Sequence, residues 1–178
     1  LMGFLGMPYL VITDLDSVYP NDKQSACRAD TVGALTSSCA LKFFLGKSDI
    51  SELTVLPETE KIVSDEIGYI AFQQPPPVDN YGQGCTLTGR TLEETFIYQN
   101  IGIFSEGRIP SGIGFSGVLE DDHESVYQKI RASSFKKTEF ALDIISSPED
   151  WEVPEYISGG LLWLKSKACR DIAEEVAE

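Results

Sequence analysis

Two aspartates close an apolar run near the start of the chain, in the segment "YLVITDLDSV" over residues 9–18. On an extended backbone Asp14 and Asp16 project from the same face, which places their carboxylates about 7 Å apart. Like charges this close repel each other, and a bound Mg²⁺ or Mn²⁺ would turn that repulsion into coordination. Open α/β sheets also place ligands at the carboxyl ends of strands. The pattern predicts a metal or phosphoryl site, and a strand-ending turn of solvated acids is the alternative.

A second pair of acids, Glu93 and Glu94, lies in the segment "GRTLEETF". Thr91 is expected to be the N-cap of a helix, with Glu94 at the third position of a capping box. Neighbouring helical residues point about 100° apart, so only one glutamate can easily face a metal while the other caps the helix or is solvated. Taken alone, such a pair more often complements the helix dipole. Arg90 could pair with either glutamate or with a phosphate.

A lysine that could act on such a site is Lys137, in "SSFKKTEFALDII". The helical spacing predicts that Lys137 lies beside a core-facing stripe formed by Phe140, Ala141 and Ile144. A lysine near an acidic site could stabilise the charge that develops in a phosphoryl-transfer transition state. A solvated lysine is the ordinary alternative, and Lys136 fits that description best.

The elements that must carry these residues alternate between strands and helices. A strand over 8–13 is apolar on both faces, which predicts a central strand covered by helices on both sides. A second strand over 66–74 must end at Pro75. The other expected segments are a loop over 17–34, a helix within 36–46, a helical turn at 49–56, and helices near 121–132, 136–146 and 155–177. Trp151, Tyr156 and Trp163 are expected to pack the last helix against the core, and the G-x-G-x-x-G match in "GIGFSG" is interpreted as accidental.

The composition narrows the classes of protein further. The chain has 178 residues, which suits one domain, and a net charge of −14, which argues against broad binding of nucleic-acid phosphates by its own side chains. The single histidine, His123, excludes a multi-histidine metal site. Four scattered cysteines without a C-x-x-C pair predict free thiols. No signal peptide or apolar run of about 20 residues is present, which favours a cytoplasmic protein without membrane contact. The start at Leu1 suggests a piece of a longer chain.

Four segments in order, "VITDLDSV", "GRTLEETF", "KKTEFALDI" and "WEVPEYISGGLLWL", together resemble the carboxyl-terminal TOPRIM (topoisomerase-primase) nuclease region of the overcoming-lysogenization-defect (OLD) family of ATP-dependent endonucleases. The resemblance covers about residues 5 to 165. It implies an α/β fold with a partial TOPRIM-like, mostly parallel central sheet flanked by helices and a helical carboxyl-terminal part. The expected single domain, 1–178, comprises an α/β core with inserted loops over 1–100, a flexible glycine-rich loop over 101–120, and helices over 121–178.

The resemblance implies a two-metal DNA endonuclease using Mg²⁺ or Mn²⁺. Asp14 and Asp16 match the two aspartates of the TOPRIM D-x-D motif, and Glu93 matches the glutamate that holds the second metal. Lys137 falls on the family's catalytic lysine. Arg90 and Ser17 are possible contacts for phosphate or DNA. Acids that bind cations, which in turn bind DNA, would also explain the negative charge.

The sequence departs from the family pattern in two places. It lacks the upstream strand that carries another metal-binding glutamate, and it lacks the amino-terminal ATPase. The expected partners are therefore DNA and the ATPase domain of the parent protein, with homo-oligomerisation possible. We expect the isolated segment to be inactive or weakly active as a nuclease.

Two other functions fit parts of the sequence. In a haloacid-dehalogenase-like phosphatase, Asp14 would attack phosphorus and Asp16 would act as acid and base. That family usually continues D-x-D with Gly-Thr, whereas Ser17 and Val18 follow here. The third reading is a non-catalytic interaction module that assembles through its acidic face.

Overall fold

The computed structural model describes residues 5–21, 23–75, 87–100, 103–104, 122–148 and 150–175. The strands are Tyr9–Ile12 (β1), Ser17–Val18 (β2), Leu35–Thr36 (β3), Ile62–Val63 (β4) and Gly68–Ala71 (β5). The helices in these ranges are Cys39–Leu45 (α1), Ile50–Thr54 (α2), Leu92–Gln99 (α3), Asp122–Arg131 (α4), Lys137–Ser146 (α5) and Glu155–Glu175 (α6). The predicted mixture of strands and helices is confirmed. The predicted glycine-rich loop, with its "GIGFSG" match, lies outside the described residues apart from 103–104.

The main sheet is mixed and has the order β1-β5-β4 within the described part of the chain. β1 pairs with β5 in parallel, and β4 pairs with β5 antiparallel. The expected central position of the first strand is therefore wrong for the described sheet, since β5 lies in the middle. All four residues of β5 are buried, whereas Ile12 of β1 is 46% exposed. Apolar residues on both faces of a strand indicate that helices cover both faces of the sheet. They do not indicate how many strands lie beside that strand.

Helices cover both faces of the sheet, as the sequence predicts. On one face Val11 and Ile70 pack with residues of α1 and α2 in the first apolar cluster. On the other face α6 lies against β1 and β5, and Trp163 stacks on Tyr69 with ring centroids 5.2 Å apart. Gly160 permits this approach, because a Cβ atom there would lie 2.9 Å from the Leu10 side chain.

The segment over 17–34, expected to be a loop, contributes to a small second sheet. β2 pairs antiparallel with β3, with Ser17 opposite Thr36 and Val18 opposite Leu35. A two-residue strand is too short to show an alternating pattern in the sequence. Because Ser17 follows Asp16 directly, this pairing fixes the backbone next to Asp16.

The buried side chains form two apolar clusters. The sheet cluster contains Leu15, Cys27, Ala29, Ala34, Leu41, Ile50, Leu53, Leu56, Ile70 and Phe72. The helix cluster contains Phe96, Ile97, Tyr98, Phe104, Val126, Ile130, Phe140 and Ile144, from α3, α4, α5 and the turn after α3. The predicted helices near 121–132, 136–146 and 155–177 are confirmed by α4, α5 and α6. Ala141, expected in the core-facing stripe of α5, is exposed instead.

One composition-based expectation is borne out where the structure describes the chain. Cys27, Cys39 and Cys169 are free thiols, while Cys85 lies outside the described residues. Among the described residues, no helix is both long enough and apolar enough to cross a membrane.

Candidate functional site

Asp14 and Gln73 lie side by side where the parallel strands β1 and β5 end. Ile12 of β1 is opposite Ala71 of β5. Asp14 comes two residues after Ile12, and Gln73 comes two residues after Ala71. Gln73 is fully buried; its Nε2 donates to Asp14 Oδ1, and its Oε1 accepts from the Leu15 N–H at 2.8 Å. Gln73 therefore orients the Asp14 carboxylate and fixes the chain beyond it. Sequence reasoning missed Gln73, although its place after a buried strand mirrors that of Asp14.

Asp16 lies at a turn, not on an extended strand as the spacing argument assumes. Its φ of +47° is left-handed, a conformation that aspartate tolerates better than most residues. Its carbonyl accepts from the N–H of Ser37 at 3.0 Å and from the Ser37 hydroxyl at 2.9 Å. Its carboxylate pairs with the Arg90 guanidinium at 3.3 Å. These contacts tie Asp16 to Ser37 before α1 and to Arg90 before α3.

Glu93 and Lys137 form an ion pair, with 2.9 Å between Lys137 Nζ and Glu93 Oε2. They come from the first turns of α3 and α5. Phe96 and Phe140, each three residues further along its helix, pack edge to face with centroids 5.9 Å apart. The aromatic contact and the ion pair thus lie on the same helix faces. The glutamate is largely buried, whereas the lysine side chain is 61% exposed.

Asp14 lies within electrostatic range of both Asp16 and the Glu93–Lys137 ion pair. Burial raises the pKa of Asp14, and the negative charges of Asp16 and Glu93 raise it further. The hydrogen bond from Gln73 and the positive charge of Lys137 act in the opposite direction. The end of β1 is therefore close to the first turns of α3 and α5, at the border between the sheet cluster and the helix cluster.

Tyr156 of α6 joins the same polar group. Its hydroxyl lies 3.2 Å from Gln73 Nε2. Burial raises the pKa of Tyr156, and the charges of Asp14 and Glu93 add to that effect. The tyrosine therefore stays neutral and can donate a hydrogen bond within the site.

Glu94 is the most buried acid of the group, with no exposed surface. Its Oε2 accepts from the Arg90 N–H at 2.9 Å, while Oε1 and the Thr91 hydroxyl have no hydrogen-bond partner in the described structure. The predicted capping box is thus altered: Thr91 is the N-cap but makes no side-chain cap, and Glu94 bonds one residue further back. Burial, followed by the charges of Glu93 and Asp14, raises the pKa of Glu94 to about 7.

Replacing Glu94 by glutamine is expected to remove a pH dependence of stability. Since the folded state holds the Glu94 proton more tightly than the unfolded chain, whose pKa is 4.5, the free energy of unfolding falls as pH rises from 4.5 to about 7. The loss amounts to about 3 kcal/mol. Glu94→Gln should match the wild type at pH 5 and exceed it by about that amount at pH 8 in urea titrations. Glu139→Gln, at an exposed first-turn position of α5, should show no such difference. Parallel wild-type and Glu94→Gln profiles would contradict the assignment.

The remaining candidates are not all at this site. The Ser17 side chain is fully buried and its hydroxyl donates to the Cys27 carbonyl at 2.7 Å, so it is engaged inside the protein. The Arg90 guanidinium pairs with Asp16, while the contact of Arg90 with Glu94 is made by its backbone N–H. His123 is buried in α4, with Nδ1 3.3 Å from Asp30 Oδ2.

The donor chemistry of the site suits a hard divalent cation. Asp14, Asp16 and Glu93 offer carboxylate oxygens, which are the ligands that Mg²⁺ and Mn²⁺ prefer. Over the described ranges, no three His, Cys, Asp or Glu side chains are grouped so that they could hold an ion together. Two of the carboxylates are engaged by Arg90 and Lys137. The residues therefore fit a cation in ligand type, and binding would require side-chain movement.

No family model matches this chain, and comparisons with the curated proteins and with the solved structures also find no match. The functional assignment therefore depends on the geometry and charge of the site itself.

Proposed function

We propose that this chain is a metal-dependent DNA endonuclease domain, equivalent to the TOPRIM region of an OLD-family nuclease. The proposal rests on the Glu93–Lys137 ion pair and on its electrostatic effect on Asp14, which relate three distant segments of the chain. Phosphodiester hydrolysis needs acids that hold cations and a positive group near the phosphate. The group contains both. DNA and an ATPase domain of a parent protein are the partners that this function implies.

The balance of charge at the site supports cation binding. The four acids are Asp14, Asp16, Glu93 and Glu94, and within the described part of the chain only two of them have an ion-pair partner: Arg90 for Asp16 and Lys137 for Glu93. Carboxylates that are close together and partly desolvated resist ionisation, as the raised pKa of Asp14 shows. Divalent cations held by Asp14, Asp16 and Glu93 would relieve this repulsion. When bound, such ions polarise the phosphate and supply an activated water.

The chain's own side chains have distinct tasks in this proposal. Gln73 holds the Asp14 carboxylate in one orientation. Arg90 restrains Asp16 at its left-handed turn. Lys137 has a largely exposed side chain on a helix terminus, so its ammonium can leave Glu93 and contact a substrate phosphate. In this proposal, these three roles together keep the charged groups of Asp14, Asp16 and Lys137 close to the phosphate that is cut.

Metal binding tests the proposal directly. Calorimetry should show Mn²⁺ binding by the wild type, and Glu93→Gln should weaken it by about 10- to 100-fold because a charged ligand is lost. Glu52→Gln is the matched control, since Glu52 is an exposed glutamate in the first turn of α2. It should bind Mn²⁺ like the wild type. Absence of binding, or equal binding by Glu93→Gln, would contradict the proposal and favour a non-catalytic interaction module.

A further inference from the structure

Beside the acidic site lies a polar pocket of about 280 Å³, here called the arginine pocket. Its lining includes Tyr19, Arg28, Thr31, Tyr127, Gln128 and Arg131. We infer that the arginine pocket binds the phosphodiester backbone of DNA next to the bond that is cut. This inference rests on the proposed nuclease function and adds a substrate-binding surface to it.

Contacts through one loop connect the pocket with the candidate metal residues. Arg90, which pairs with Asp16, also donates from Nε to the Ser17 carbonyl at 3.4 Å. That carbonyl accepts from the Cys27 N–H at 3.0 Å. The next carbonyl back, of Ala26, accepts from the Tyr127 hydroxyl in the pocket at 2.8 Å. Burial raises the pKa of Tyr127, and the positive charges of Arg131 and Arg90 act in the opposite direction, so Arg90 lies within electrostatic range of Tyr127.

The arginines are concentrated in this region. The structure describes the side chains of three arginines. Arg28 and Arg131 line the arginine pocket, and Arg90 donates to the Ser17 carbonyl in the contacts that connect the pocket with Asp16. The two arginines that line the pocket, Arg28 and Arg131, balance its two acids, so in a chain with a net charge of −14 this surface lacks the excess negative charge that would repel a phosphate. Arginine presents a planar fork of donors that matches phosphate oxygens.

Two acids, Asp30 and Glu124, also line the arginine pocket, and both accept hydrogen bonds from protein donors. Arg28 donates from Nε and Nη2 to the two oxygens of Asp30, at 2.9 and 2.6 Å. Arg28 Nη1 donates to Glu124 Oε2 at 2.8 Å, and Gln128 donates to Glu124 Oε1 at 2.6 Å. All four carboxylate oxygens are thereby hydrogen-bonded. Their repulsion of an incoming phosphate is reduced, and Arg28 is held rigidly between the loop and α4.

Arg131 is the residue best placed to take a phosphate. Its Nη1 donates to the Tyr127 hydroxyl at 2.7 Å, and its guanidinium lies over the Tyr127 ring, 5.1 Å from the centroid. Among the residues that the structure describes, no carboxylate forms an ion pair with it. The guanidinium is therefore oriented by Tyr127 while its remaining N–H groups are available. Tyr19, 43% exposed, provides an aromatic surface at the same pocket.

Salt-dependent DNA binding tests the inference. Fluorescence anisotropy with a labelled duplex of about 20 base pairs, in Ca²⁺ and about 50 to 200 mM salt, measures the slope of log Kd against log salt. Arg131→Gln should weaken binding about 10-fold and reduce that slope by about 0.9, the value for one phosphate contact. Lys42→Gln, which removes a positive charge from an exposed position on α1, should change neither quantity.

A second variant separates charge from fold. Arg131→Lys keeps the positive charge and should retain the slope while weakening Kd, because the bidentate geometry is lost. Equal slopes for the wild type and Arg131→Gln, or no DNA binding by the wild type at the lowest salt, would overturn the inference. Neither result alters the Mn²⁺ affinity, so Glu93→Gln calorimetry continues to test the proposed function separately.

Discussion

Asp14→Asn, made in the parent protein because the isolated segment is expected to be weakly active at most, should lower the rate of Mn²⁺-dependent nicking of supercoiled plasmid by about 10²- to 10³-fold. The substitution keeps the shape of the side chain and leaves an oxygen to accept from Gln73 Nε2. It removes the negative charge that would bind a cation. The geometry at the end of β1 should therefore be retained while the electrostatic function is lost. Gel quantification of nicked circles over time measures the effect.

The control for this experiment is Asp150→Asn, which makes the same chemical change at an exposed position. It should nick at the wild-type rate. Nicking by Asp14→Asn at the wild-type rate would contradict the nuclease proposal. Trapping of beryllium fluoride on Asp14, without nicking, would instead favour the phosphatase hypothesis.

Phe96→Ala is expected to reduce the free energy of unfolding by about 3 to 5 kcal/mol. The Phe96 ring is buried and contacts the rings of Phe104, Phe140 and Trp151, with centroids 6.1, 5.9 and 5.5 Å away. Its removal leaves a cavity between α3 and α5 that these rigid rings can fill only in part. Because these helices carry Glu93 and Lys137, the ion pair should also loosen. Urea titration measures the stability.

The matched control is Phe43→Ala on α1, where the ring is 80% exposed. The same atoms are removed there without a buried cavity, so the cost should stay within about 0.5 kcal/mol. Similar losses for the two variants would show that the helix cluster does not stabilise the site. Mn²⁺ calorimetry on folded Phe96→Ala would show separately whether Glu93 is still positioned to bind a cation.

Local patterns in the sequence were sufficient to predict the elements that carry the site. The apolar run before Asp14 predicted β1, and Thr91 predicted the start of α3, because strands and helix ends depend on residues close in the chain. The helical spacing around Phe140 predicted α5 with Lys137 in its first turn. These features follow from side-chain periodicity and backbone capping, both of which are local.

Partners that come from distant segments were decided by the tertiary structure alone. The sequence did not indicate that Gln73 orients Asp14, that Arg90 pairs with Asp16, or that β5 lies at the centre of the described sheet. Each of these contacts depends on the order in which the strands and helices pack. Many packing orders satisfy the same local patterns, and the burial of the two apolar clusters selects among them.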